Sequence, residues 1–224
     1  KFWDSVPHVD GDMNTNAMTA GATAGWDIVN ERFPGAITPD LEAYKATFIG
    51  HLRELHERMG KLPKTIIHGD CRLDNMMFAR TKDQHPVLLL DWQGLLVSTG
   101  LQDVAYLLTQ NLDPELRRKN ERELVKHYHS ELVKNGVKGY SYEQCWNDYR
   151  TAALYLFVYA LVISGTLDPS TDRGRAFMSA LMTRAVRTVE ELGLFAMLDD
   201  PSAGQLPVKK SLLRRILEPP GLPG

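Results

Sequence analysis

The stretch IIHGDCRLDNMMF, residues 66–78, sets Asp70, Asp74 and Asn75 between two short apolar runs. Apolar runs of this length flanked by turn formers read as short strands. A further run, VLLLDW at 87–92, ends in Asp91, and the polar segment ARTKDQHP lies between. Residues 75–78 and 87–91 therefore have hairpin spacing with a loop longer than the tight-turn classes. A carboxylate, an amide oxygen and a second carboxylate are hard oxygen donors. Magnesium takes few protein ligands and completes its shell with water and phosphate oxygens, a duty that suits Asn75 and Asp91. Asp70 then stays free to accept a proton from a hydroxyl, which is the division of labour phosphoryl transfer needs. The plain structural alternative is a turn rich in Asp and Asn between strands.

Outward from this stretch the chain reads as helical. Residues 1–39 are rich in Gly, Pro, Asp and Asn, with short helical pieces near Met13–Ala20 and Trp26–Arg32. Residues 38–60 read as one helix, capped by Thr38, started by Pro39 and stopped by Gly60. Leu41, Tyr44, Phe48, Leu52 and Leu55 recur along it at helical spacing. Helices are expected over 103–110, 114–135, 141–165 and 171–193, broken at Asp113-Pro114 and Asp168-Pro169. The uncharged run TAALYLFVYALVISGTL, 151–167, is short for a membrane span and contains Ser, Gly and two Tyr, so it reads as a buried core helix. The domain organisation is one helical unit over 1–200 and a flexible Pro- and Gly-rich tail over 201–224. Within the tail, Lys209–Arg215 reads as solvated chain, with a short basic helix as the alternative.

Of the 224 residues, 43% are hydrophobic and 24% charged, and the formal net charge is −2. There is no basic excess for nucleic acid or an anionic membrane surface. Two cysteines far apart, Cys71 and Cys145, do not make a secreted disulfide framework, and the expected compartment is the cytoplasm.

HGDCRLDN followed by LLLDWQ resembles the catalytic core of the aminoglycoside phosphotransferase and choline kinase superfamily. Its protein-kinase relatives carry H-R-D-x-x-x-x-N and D-F-G. His68, Asp70 and Asn75 match the first pattern, with Gly69 in place of Arg. Asp91 matches the metal Asp, with Trp92 and Gln93 in place of Phe and Gly. The resemblance implies an ATP-dependent transfer of the γ-phosphate to a hydroxyl of a small-molecule acceptor. It makes Asp70 the base, His68 a brace for the loop, and Asn75 and Asp91 the holders of magnesium and its nucleotide. Arg72 stands where protein kinases place a Lys that touches the transferred phosphate. Pairing with a carboxylate such as Asp74 is its alternative role. Asp103 is read either as a brace for the loop or as a plain helix N-cap.

The implied fold is α+β, predominantly α: a protein-kinase-like C-terminal lobe with a small β-hairpin at the catalytic loop. The resemblance spans residues 1–198, with KFWDS resembling the family's sequence just after the helix that follows the nucleotide hinge. No Gly-rich loop or strand Lys stands before residue 60, so the N-terminal nucleotide lobe is expected to be absent from this chain. A non-catalytic metal- or ligand-binding module derived from such a kinase is the competing function. Two branches stay open: DPELRRKNERELVKHYHSEL, 113–132, resembles the ecdysteroid-kinase-like branch, and HGDCRLDN resembles kinase domains found beside acyl-CoA dehydrogenases.

Other residues carry weaker chemical signals. Cys71 lies three residues from His68; a Cys–His nucleophile needs the two side chains to meet, and nothing in the sequence shows that they do. His127 and His129 are two apart on a helix and point to different sides. The segment around them has mixed charge and reads as a solvated amphipathic helix. Trp146, Tyr149, Tyr155, Phe157 and Tyr159 read as core, with an aromatic acceptor wall as the alternative.

Overall fold

The computed structural model describes residues 5–168 and 170–199. The expected tail over 201–224 lies outside the described residues. Among those described, helix dominates and strands are few and short. α1 is Asp12–Arg32, α2 Pro39–Ala43, α3 Lys45–Gly50 and α4 Leu52–Lys61. α5 is Gly100–Tyr106, α6 Pro114–Lys134, α7 Tyr142–Thr166, α8 Asp172–Leu192 and α9 Ala196–Asp199. The strands are β1 Thr65–Ile67, β2 Met76–Phe78, β3 Val87–Leu89 and β4 Leu96–Ser98.

The two expected N-terminal pieces are one continuous helix. Gly21 and Gly25, between those two pieces, are where α1 crosses α7. A Cβ on Gly25 would collide with the Leu161 carbonyl, and one on Gly165 would collide with Gly25. A Cβ on Gly21 would lie 3.1 Å from Val162 Cγ2. Helix contact at this range needs glycine, and the packing it permits outweighs the helix propensity lost.

Segment 38–60 departs from expectation in the other direction. Thr38 does cap its start, accepting from Leu41 N–H at 3.4 Å. The helix then breaks twice, at Tyr44 (φ −91°, ψ −3°) and His51 (φ −99°, ψ 3°). The breaks re-aim the chain so that Leu41, Phe48, Leu52 and Leu55 are all buried, while Tyr44 stays exposed. Phe48 meets Trp26, Phe157 and Phe195 with ring centroids 5.2–5.6 Å apart, a cluster that joins α1, α3, α7 and the chain before α9.

α6, α7 and α8 fall close to their expected limits because their caps are local. Asp113 accepts from Glu115 N–H, Ser141 and Gln144 form a reciprocal capping box, and Thr171 accepts from Gly174 N–H. α7 is buried along most of its length. No helix among the described residues is long and apolar enough to cross a membrane. α6 is not simply solvated: Arg117 and Glu121 are buried as an ion pair, with Glu191 of α8 on Arg117 and Tyr149 OH donating to Glu121. Burial pushes the Glu121 carboxyl up, against the pull of Arg117.

β2 and β3 form the expected hairpin, with Met76 opposite Leu89 and Phe78 opposite Val87. β1 does not join it. It pairs antiparallel with β4, Ile66 opposite Val97, and His8 bridges to Val97 from the other side. β4 was expected to be part of a helical region. Its pairing partner is about thirty residues away, so three residues of strand leave no period to read.

Candidate active site

The loop from His68 to Asn75 leaves β1 through Gly69, whose φ is 78°. A Cβ there would collide with Gly94 O and lie 2.7 Å from Leu96 Cδ2, so the turn admits only glycine. Asp103 fixes this turn from α5. Its carboxylate accepts from the His68 N–H at 2.7 Å and the Gly69 N–H at 3.0 Å. Of the two readings of Asp103, the brace is the observed one. The N-cap is Thr99, whose Oγ1 accepts from Leu101 N–H. Burial pushes the Asp103 carboxyl up, and the two backbone N–H groups pull it back down.

His68 is buried, and its ring holds two pieces of chain together. Nε2 faces Leu90 O at 2.7 Å, and Nδ1 accepts from the Asp70 N–H at 3.3 Å. These partners assign the proton to Nε2. Trp92 packs over the ring at 4.8 Å. With both nitrogens committed, His68 has none left for Cys71. Burial, then the charges of Asp103 and Asp70, push the Cys71 thiol up to about 12. The structure therefore rules against a Cys–His nucleophile here.

Asp70 is the meeting point. Oδ1 accepts from Tyr106 OH at 3.0 Å, and Oδ2 accepts from Asn75 Nδ2 at 2.9 Å. Asn75 Nδ2 also donates to the Asp70 carbonyl at 3.0 Å. Arg72 pairs with this same carboxylate, not with Asp74: its Nε lies 3.2 Å from Asp70 Oδ1. The N–H is not aimed closely enough for a hydrogen bond, so the attraction is electrostatic. The Arg72 guanidinium also lies 5.9 Å above the Phe177 ring of α8. Asp70 remains 28% exposed at its side chain, enough for a small molecule to reach it.

Asn75 is buried, with its amide nitrogen spent on Asp70. The oxygen Oδ1 is the atom left for a ligand. Asp91 is presented differently. It is exposed and is the one described non-glycine residue with positive φ, at 61°. Gln93 Nε2 donates to its carboxylate at 3.3 Å. Asp91 is linked to the loop through its neighbour Leu90, whose N–H donates to Asn75 O at 2.8 Å and whose carbonyl takes His68 Nε2. Among the described residues, no group of three His, Cys, Asp or Glu side chains could hold a metal ion. Magnesium that draws most of its shell from water and phosphate needs no such group, and an amide oxygen with one exposed carboxylate fits that habit.

Residues 6–138 match the model of the ecdysteroid kinase-like family. The chain belongs to that family. It is therefore a member of the choline kinase and aminoglycoside phosphotransferase-like superfamily, whose general activity is kinase-like phosphotransfer to small molecules. Of the two branches left open by the motifs, the match selects the ecdysteroid kinase-like one. No curated protein and no solved structure matches the chain significantly. The matched residues of this ecdysteroid kinase-like chain include the whole loop, β1–β4 and α5, and stop before α7.

Two contributors to the site carry no signal in the sequence. Tyr106 sits in GLQDVAYLL, where it reads as one apolar position among several. Asn111 follows an expected helix end, yet its Oδ1 accepts from Leu73 N–H at 3.0 Å. Of the five α7 aromatics expected to form core or an acceptor wall, Trp146, Tyr149, Tyr155 and Phe157 are buried. Tyr159 alone is half-buried; its ring lies 6.4 Å from Tyr106, and burial followed by Asp70 raises its hydroxyl. His127 is exposed, and His129 Nε2 is engaged with Tyr140 O, so these two share nothing.

Proposed function

We propose that this chain carries the acceptor-activating site of an ATP-dependent kinase that phosphorylates a hydroxyl of a small molecule. The observation that carries the reading is the Asp70–Asn75 pair. The amide nitrogen steadies the carboxylate, and the amide oxygen is left for a cation. Asp70 is the base: it takes the proton of the acceptor hydroxyl as that oxygen bonds to the γ-phosphorus and the bond to the ADP oxygen breaks. Magnesium, bound through Asn75 Oδ1 and Asp91, would neutralise charge on the phosphate oxygens. His68 keeps the end of β3 against the loop and so keeps Asp91 near Asn75. Arg72 offers its outer guanidinium nitrogens to the transferring phosphoryl group while its Nε attracts Asp70.

The test is ATP turnover, read as ADP release, by the protein that carries this chain. Asp70→Ala should lower turnover roughly 10²- to 10⁴-fold while nucleotide affinity holds. Asp91→Ala should weaken magnesium-nucleotide binding by calorimetry. Turnover in Asp70→Ala equal to wild type removes Asp70 as the base. Absence of turnover and of magnesium binding in the wild type favours a non-catalytic module.

A further inference from the structure

We propose that the π-helical turn at Leu107–Asn111, which continues α5, is a positioning device. It turns Asn111 onto the loop behind Asp70 and makes Asn111 a positioning residue for that carboxylate. The inference rests on the reading of Asp70 as the base.

An α-helix repeats its faces at i, i+3 and i+7, so residues 103, 106 and 110 would share one side. Asp103 and Tyr106 do share the side that faces the loop. Gln110 does not: its Nε2 lies 3.4 Å from Leu156 O on α7 and 3.4 Å from Thr109 Oγ1. Asn111 stands in its place. The segment Leu107–Asn111 is π-helical, and a π turn inserts one extra residue per turn. That insertion brings 111, not 110, round to the face of 103 and 106.

The consequence is a clamp on both sides of Asp70. Upstream, Asp103 holds the His68 and Gly69 N–H groups. Downstream, Asn111 Oδ1 accepts from Leu73 N–H at 3.0 Å, and Nδ2 donates to Cys71 O at 3.4 Å. Between the two, Tyr106 OH meets the Asp70 carboxylate itself. Asn111 Nδ2 also donates to Tyr106 O at 3.0 Å, so the same side chain ties the π turn to the loop. Within the loop, Arg72 N–H donates to Asp70 O and Asn75 N–H to Arg72 O, so a pull at residues 71–73 is passed to Asp70 and Asn75. A π turn is less stable than an α turn and concentrates at functional sites. Here its return is the place of one amide.

The test uses Asn111→Ala and Asn111→Asp in the protein that carries this chain, with two readouts. Asn111→Ala should lower kcat for ADP release roughly 10- to 100-fold with KM for ATP within about twofold. It should also speed amide exchange at Leu73 by about fivefold or more while amides of α7 keep their protection. Asn111→Asp keeps the acceptor for Leu73 N–H and should restore that amide's protection. Unchanged kcat, or unchanged Leu73 exchange, overturns the proposal. So does a parallel fall of kcat, Tm and α7 protection in both variants, which would make Asn111 a scaffold residue. If the wild type has no Asp70-dependent turnover, the functional reading fails, and with it the positioning role. Leu73 exchange then decides separately whether the loop contact exists.

Discussion

The loop 68–75 and the hairpin β2–β3 sit side by side, and they are held in opposite ways. The loop is buried or half-buried over much of its length, and its backbone is gripped by side chains of α5 and the π turn. The hairpin is exposed along both strands, with Met77, Phe78, Val87, Leu88, Leu89 and Leu90 all open. It reaches the rest of the fold through Met76, which packs against the core, and through Leu90, between Asn75 and His68. Asp70, the proposed base, is thus fixed by tertiary contacts from a distant helix, whereas Asp91 is carried at the end of a lightly tethered strand. A base must meet its proton within hydrogen-bond reach, so its position tolerates little error. A magnesium ligand can adjust with its water and phosphate partners.

Mutations on the two sides should separate. Gly69→Ala forces a Cβ onto Gly94 O at positive φ and should destabilise the fold by roughly 3–5 kcal/mol in denaturant unfolding. A loss below about 1 kcal/mol would mean the turn can relax and the grip is weak. Asp103→Ala strips two backbone N–H groups of their acceptor and should cost about 2–4 kcal/mol. Asp91→Gly should do the reverse. Relief of left-handed strain should stabilise the fold by about 0.5–1 kcal/mol while manganese binding, followed by water proton relaxation, is lost. Retained binding would remove Asp91 from the cation site. Leu88→Thr on the open hairpin should change stability by no more than about 0.5 kcal/mol.

Acidity offers an independent measure of the same contrast. Cys71 lies in the gripped loop, and its thiol is pushed up to about 12, first by burial and then by Asp103 and Asp70. In the unfolded chain it ionises near 9.0. The folded state therefore holds the proton longer. The stability this contributes is intact below pH 9.0 and is lost as pH rises towards about 12. Iodoacetamide should label the native protein very slowly at pH 9 and label it fast once denatured. Fast native labelling would mean the loop opens readily.

Much of this was legible because its causes are local. Caps at Asp113, Ser141 and Thr171 set three helix starts from a few adjacent residues, and the hairpin follows from two apolar runs and a polar loop. HGDCRLDN and LLLDWQ pointed to the superfamily, and the family match agrees. The misreadings share one origin. Met13–Ala20 and Trp26–Arg32 look like separate helical pieces until α7 is laid against Gly21 and Gly25. The helix over 38–60 looks continuous until Phe48 has to meet Trp26 and Phe157. Arg117 and Glu121 look solvated until Glu191 and Tyr149 close over them.

The sequence by itself determined the helix-rich class, the superfamily and the identity of the acidic and amide groups. Those depend on residue type and short spacing. Only the tertiary structure decided that Arg72 pairs with Asp70, that Asp103 braces the loop instead of capping a helix, and that Tyr106 and Asn111 reach it. The contacts of Asp103, Tyr106 and Asn111 with the loop join residues more than thirty positions apart. One of them depends on a single-residue π insertion, which shifts a helix face without changing any periodicity that can be read along the chain.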